Sequence, residues 1–110
     1  MTEAEFREAA LACPQAIESG HMGQADFRVA KKIFATLDAE KGLATLKLQP
    51  KEQAHLIDIA GPAVFPANGS WGQKGWTRLS LAKADTRTIT PWLMHAWRNT
   101  APARLLKEHP

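Results

Sequence analysis

LATLKLQ, residues 43–49, alternates without a break from Ala44 onward. Ala44, Leu46 and Leu48 are apolar, and Thr45, Lys47 and Gln49 between them are polar. Successive side chains of a strand point to opposite faces, so this period of two marks a strand with one buried face and one open face. Strands of that kind build a sheet covered by helices on one side only. The flanking sequence fills in the rest.

Upstream, ADFRV (25–29) and KIFATL (32–37) have strand composition, separated by Ala30-Lys31, and the stretch 38–42 leads into LATLKLQ. Connections this short favour hairpins and an antiparallel meander. Residues 16–22 form a weaker strand segment, punctuated by Gly23 and Gln24. Before it, Thr2 and Glu5 make a capping box, and Phe6, Ala9, Ala10 and Cys13 recur at helical spacing until Pro14.

Downstream, Pro50 suits a first helical position, and PKEQAHLIDIAG (50–61) reads as a helix with Gln53, Leu56, Ile57 and Ala60 inward. PAVFPANGS (62–70) reads as a loop with room for a short extended piece and a turn at Asn68-Gly69. WTRLSLA (76–82) alternates again: Thr77, Leu79 and Leu81 share one face, Trp76, Arg78 and Ser80 the other. The closing helix is predicted to start at Thr90-Pro91, because a start at Asp85 or Thr88 would put Pro91 inside it. Trp92, Leu93, Ala96 and Trp97 form its apolar stripe, Ala101-Pro102 breaks it, and ARLLKEHP (103–110) adds a last turn or two. The expected fold class is α+β. An antiparallel meander is packed on one face by N-terminal, middle and C-terminal helices.

The 110 residues suit a single domain, 1–110, with the ordinary composition of a globular protein: 45% hydrophobic and 23% charged. No apolar run is long enough to cross a bilayer, and MTEAEFREAALACP has no basic-then-apolar leader. Cys13 is the single cysteine, so no internal disulfide forms. A cytoplasmic location with no membrane partner is expected. The net charge of +3 is a mild basic bias that permits a nucleic-acid partner without demanding one.

Motifs for catalysis are missing. His21, His55, His95 and His109 show no zinc spacing, and no phosphate-cradling glycine loop or nucleophile elbow occurs. Cys13 falls on an apolar helix face and reads as a core residue. No enzyme activity, cofactor or metal is expected; the one acid–base pair worth watching is His21 with Asp26.

What remains is a surface. The alternation turns Arg28, Lys47, Trp76 and Arg78 to the open side, with Lys31, Lys32 and Lys74 in turns at its edge. Cations neutralise phosphates, and an exposed indole stacks on a base. The candidate nucleic-acid contacts are therefore Arg28, Lys32, Lys47, Lys74, Trp76 and Arg78. They hold a ligand only if they converge on one side. SWGQKGW (70–76) carries the first two of the four tryptophans, with Trp71 expected in a packed loop corner beside Gly72 and Trp92 and Trp97 in the core.

HMGQADFRVAKKIFATL (21–37), ATLKLQPKEQAHLI (44–57), FPANGSWGQKGWTRLSL (65–81) and HAWRNTAP (95–102) together resemble the MmcQ/YjbR family of small bacterial proteins, in order and over nearly the whole chain. The WG-x-x-GWT element looks like a family signature. The resemblance implies an α+β fold of the frataxin/CyaY type and a DNA-binding role, and it brings no catalytic residues. The expected function is weak, non-specific DNA binding through the basic sheet face and loops. The alternative is a protein- or small-molecule-binding domain that uses the groove near Trp71 and Trp76.

Overall fold

The computed structural model describes residues 1–21 and 23–110, and of His21 the backbone only. Six strands form one antiparallel sheet: β1 (Ile17–His21), β2 (Gln24–Val29), β3 (Lys32–Asp38), β4 (Leu43–Lys47), β5 (Val64–Pro66) and β6 (Trp76–Ser80). Their spatial order is β1-β2-β3-β4-β6-β5. The meander therefore covers only the first four strands. β6 joins beside β4, and β5, a short strand inside the expected 62–70 loop, closes the edge.

Five helices accompany the sheet: α1 (Glu3–Leu11), α2 (Pro50–Ala60), α3 (Gly69–Gln73), α4 (Thr86–Thr100) and α5 (Ala103–Glu108). The Thr2–Glu5 capping box forms as expected, with Glu5 N donating to Thr2 Oγ1 at 3.1 Å and Thr2 N to Glu5 Oε1 at 2.8 Å. The core between helices and sheet is made by Phe6, Phe27, Phe34, Leu46, Leu79, Leu93 and Trp97, all fully buried. Each such side chain contributes roughly 1.5–3 kcal/mol of transfer free energy. The Trp97 indole is satisfied there by the Pro14 carbonyl at 2.9 Å.

KIFATL does not alternate cleanly, and the register explains it. Phe27 faces Ala35 while the next residue, Arg28, faces Ile33. The bulge lets both Phe34 and Ala35 turn into the core.

Two expectations are corrected. α4 begins at Thr86 and not at Pro91, which lies within the helix. Asp85 caps it, accepting from Thr88 N at 3.0 Å and Thr88 Oγ1 at 2.9 Å. The early start buries Ile89 in line with Trp92, Leu93, Ala96 and Trp97. That burial and the cap outweigh the bond lost at Pro91. The Trp71 corner is likewise not a loop but the short helix α3, with Asn68 in its N-cap position.

Candidate functional site

In antiparallel strands, residues opposite one another share a face. The register therefore sorts the polar side chains. Asp26 pairs with Thr36, Thr36 with Thr45, Thr45 with Arg78, and Arg78 with Phe65. This row crosses five strands on the side opposite Phe27, Leu46 and Leu79. Lys47 and Trp76 are paired in the next row, and Arg28 lies opposite Ile33 on the same side. Arg28, Lys47, Trp76 and Arg78 thus share the open face.

Lys32 does not join them. It begins β3 opposite Val29, a fully buried residue of the helix-covered side. The two-residue turn at Ala30 and Lys31, both at positive φ (49° and 71°), returns the chain directly into that register. Lys32 therefore lies toward the helical side, and the candidate set loses it.

The open face is electrically uneven. Asp26 accepts from Arg28 Nε at 2.8 Å and Nη2 at 3.2 Å, a two-pronged pair that uses up the Arg28 charge. The hydrogen bonds to Asp26, with its charge, push the Arg28 guanidinium above its ordinary value. Asp38 lies on the same face two residues beyond Thr36. A trough of about 750 Å³ runs past Asp26, Asp38, Thr36 and Thr45 to Arg78. Lys41 also lines it beside Asp38, and Arg78 stands at its other end. Among the described residues the ion pairs are Arg7–Glu18, Arg28–Asp26 and His95–Glu52, so Arg78, Lys47 and Lys74 are in none.

The two indoles of SWGQKGW stand at that end. Trp71 and Trp76 meet edge to face, with centroids 6.1 Å apart and planes at 77°. Lys47 Nζ lies 5.9 Å over Trp76 and Lys74 Nζ lies 5.7 Å over Trp71. Trp71 is 61% exposed and Trp76 half-buried, whereas Trp92 and Trp97 belong to the core. A groove of about 360 Å³ opens beside them, lined by Thr36, Thr45, Asn68, Trp71, Trp76 and Arg78.

This corner is rigid for reasons the sequence half reveals. Gly75 has φ +112°, and a Cβ there would collide with the Leu48 carbonyl; at Gly72 it would collide with the Ala67 carbonyl. Gln53 of α2 holds the corner from behind. Its amide nitrogen lies 3.1 Å from Gly72 O, 3.0 Å from Trp76 O and 3.1 Å from Thr77 Oγ1. Thr77 passes the network on by donating to Gly75 O at 2.8 Å. A polar residue in the apolar stripe of a helix was the signal for this role.

The YjbR family model matches residues 11–99. The chain belongs to the YjbR family. Two solved structures share the YjbR chain's fold. A Deinococcus radiodurans protein, whose crystal structure carries the family-model domain DUF419, aligns with TM-score 0.73 and 16% identity over 87% of this chain and 75% of its own. A Pseudomonas syringae protein aligns with TM-score 0.70 and 19% identity over 91% of this chain and 99% of its own. At such identities the likeness is one of fold alone. No curated protein sequence matches the chain.

The remaining candidates for chemistry stand apart from the Trp corner. Burial pushes the Cys13 thiol up to about 11, which suits a core residue and not a nucleophile. Among the described residues no three His, Cys, Asp or Glu side chains come together as a metal site, and no helix is long and apolar enough to cross a membrane. His55 and His95 flank Trp92 on the helical side, at 5.6 Å edge-on and 4.6 Å stacked. The His21–Asp26 pairing lies outside the described residues on its histidine side.

Proposed function

We propose that this YjbR protein is a cytoplasmic, non-enzymatic nucleic-acid-binding module that engages single strands at the Trp71–Trp76 end of its open sheet face. One observation carries the reading: Lys47, Lys74 and Arg78, none ion-paired among the described residues, surround two indoles, one of them largely exposed. Indoles accept bases of any sequence, and the cations neutralise the phosphates between them. At the far end the Arg28 charge is already taken by Asp26, which keeps the footprint short.

Three phosphate contacts imply weak binding, roughly 10⁻⁴ to 10⁻⁶ M at physiological salt, and a log–log salt slope of about −2 for a single strand. Fluorescence anisotropy with a labelled single strand and the matching duplex, each at low and physiological salt, tests this. The expected result is saturable, salt-sensitive binding with the single strand ahead of the duplex, lost in Arg78→Glu. No binding of either at low salt would sink the reading. A groove-bound small molecule is then the second reading, favoured by the apolar walls beside Arg78.

A further inference from the structure

The groove beside Trp71 and Trp76 has more chemistry than a non-specific stacking surface needs. Its volume of about 360 Å³ stands near the small end of ligand clefts, roughly 300–1,000 Å³. The indoles that form its corner are at 77° to one another, so a flat ring that stacks on one meets the edge of the other. That shape admits one ring, not a row of them.

Its polar groups are available and ordered. Among the described residues, hydroxyls such as those of Thr2, Thr77, Thr88, Thr90 and Thr100 are bonded within the protein. Thr36 and Thr45 are not among them. Asn68 makes no side-chain capping bond to α3 although it occupies the cap position. Arg78 has no ion-pair partner among the described residues. Thr36, Thr45 and Arg78 stand on three successive strands. With neighbouring strands about 4.8 Å apart, they form a line about 10 Å long. Two hydroxyls that both donate and accept are followed by a fixed positive charge. Beyond Thr36 the same row reaches Asp26, whose carboxylate is already paired with Arg28, so Arg78 is the cation of the row with no ion-pair partner among the described residues.

A flat ring with donors and acceptors on its edge, joined to a single anion about 7 Å away, the span of the two residues from Trp76 to Arg78 along β6, is the outline of a nucleotide. We propose that the groove is a single-nucleotide site: the base lies in the Trp71–Trp76 corner beside Asn68, its phosphate is held by Arg78, and the hydroxyls of Thr45 and Thr36 line the floor beyond. The inference rests on the nucleic-acid reading of this face and adds to it the unit that is held. The nucleotide comes either free or as one unpaired member of a strand, and the same chemistry serves both.

The corner is built before the ligand arrives, since Gln53 and the two glycines fix it from behind. Binding therefore spends little on ordering the site. Trp71 and Arg78 can be changed without opening the core, because Trp71 is exposed and Arg78 lies on the open face.

The test is a tryptophan-fluorescence titration of the full chain with adenosine 5′-monophosphate, adenosine, ribose 5-phosphate and a short oligoadenylate. The monophosphate should quench saturably and bind at least about ten-fold tighter than either half of it. Arg78→Gln should remove that advantage over adenosine. Trp71→Ala should weaken adenosine and the monophosphate together, and Trp71→Phe should restore part of the loss. Circular dichroism of each variant establishes that it is folded. A monophosphate that neither quenches nor competes with the oligonucleotide overturns the site. In that case salt-sensitive oligonucleotide binding would leave the nucleic-acid reading standing. A monophosphate that binds as tightly as the oligonucleotide upholds the site and overturns the strand as its natural occupant. Equal loss of adenosine and monophosphate in Arg78→Gln would overturn the assignment of the phosphate to Arg78.

Discussion

Gln53 donates its side-chain amide to the Trp76 carbonyl at 3.0 Å, and so ties α2 to the strand that bears Trp76 and Arg78. The same nitrogen reaches Gly72 O and Thr77 Oγ1. Removing it leaves a half-buried polar pocket with nothing to fill it. Gln53→Ala should therefore lower the unfolding free energy by about 1–3 kcal/mol. Gln53→Glu should cost more at neutral pH, since a carboxylate would face carbonyl oxygens. Urea unfolding at neutral and mildly acidic pH separates the two, and a neutral Gln53→Ala would refute the clamp.

Asp26 masks Arg28 through two hydrogen bonds at 2.8 and 3.2 Å. Asp26→Asn removes one negative charge from the open face and frees one cation. Stability should change little, by about 1 kcal/mol or less for a partly exposed pair. Affinity for a single strand should rise, and its log–log salt slope should steepen by about 0.7. An unchanged slope would mean that the strand does not reach Arg28.

Pro91 sits exposed inside α4, five residues after Thr86, where its ring nitrogen has no hydrogen to give. Proline in a helix interior is about 3 kcal/mol less favourable than alanine, and up to about 1 kcal/mol of that is returned by the stiffer unfolded chain. Pro91→Ala should stabilise the protein by about 2 kcal/mol. Thermal unfolding should show a rise of several degrees; a fall would mean that Pro91 sets the geometry of the α4 start.

Glu52 joins three elements. Its carboxylate accepts from Gln49 N at 2.8 Å, Asn99 Nδ2 at 2.7 Å and His95 Nδ1 at 3.1 Å. Asn99 Nδ2 in turn donates to Lys47 O at 3.0 Å. Burial alone would raise the Glu52 carboxyl, but the hydrogen bonds from Gln49, Asn99 and His95 prevail and hold it below its ordinary value of 4.5. A carboxyl lowered in the folded state stabilises the protein above its unfolded value and loses that contribution as pH falls. In a His95→Gln background, which removes the imidazole charge, the stability gap between Glu52 and Glu52→Gln should be constant from pH 7 to about 5. Below 4.5 it should close. Urea unfolding at steps below pH 4.5 reads this directly, and a gap that does not narrow as pH falls would contradict it.

Much of the open face was legible before any coordinates. The alternation of Ala44, Leu46 and Leu48 with Thr45 and Lys47, and of Thr77 and Leu79 with Trp76 and Arg78, already assigned each side chain to a face, because a strand repeats every two residues. The Thr2–Glu5 box and Pro50 at the head of α2 were equally local, for caps and first turns depend on neighbours a few residues away. The sequence by itself thus determined the α+β class, most element boundaries and the sides on which Lys47, Trp76 and Arg78 emerge. Tertiary structure decided what lies beside what. The bulge at Phe34, the pairing of Lys32 with Val29, the start of α4 at Thr86 and the quenching of Arg28 by Asp26 each turn on register or packing between distant segments. Gln53 reaches Trp76 across 23 residues, and Thr36 stands in line with Arg78 only because β4 lies between their strands. Such contacts depend on the balance of long-range burial and hydrogen bonding over the whole domain, which no local period records.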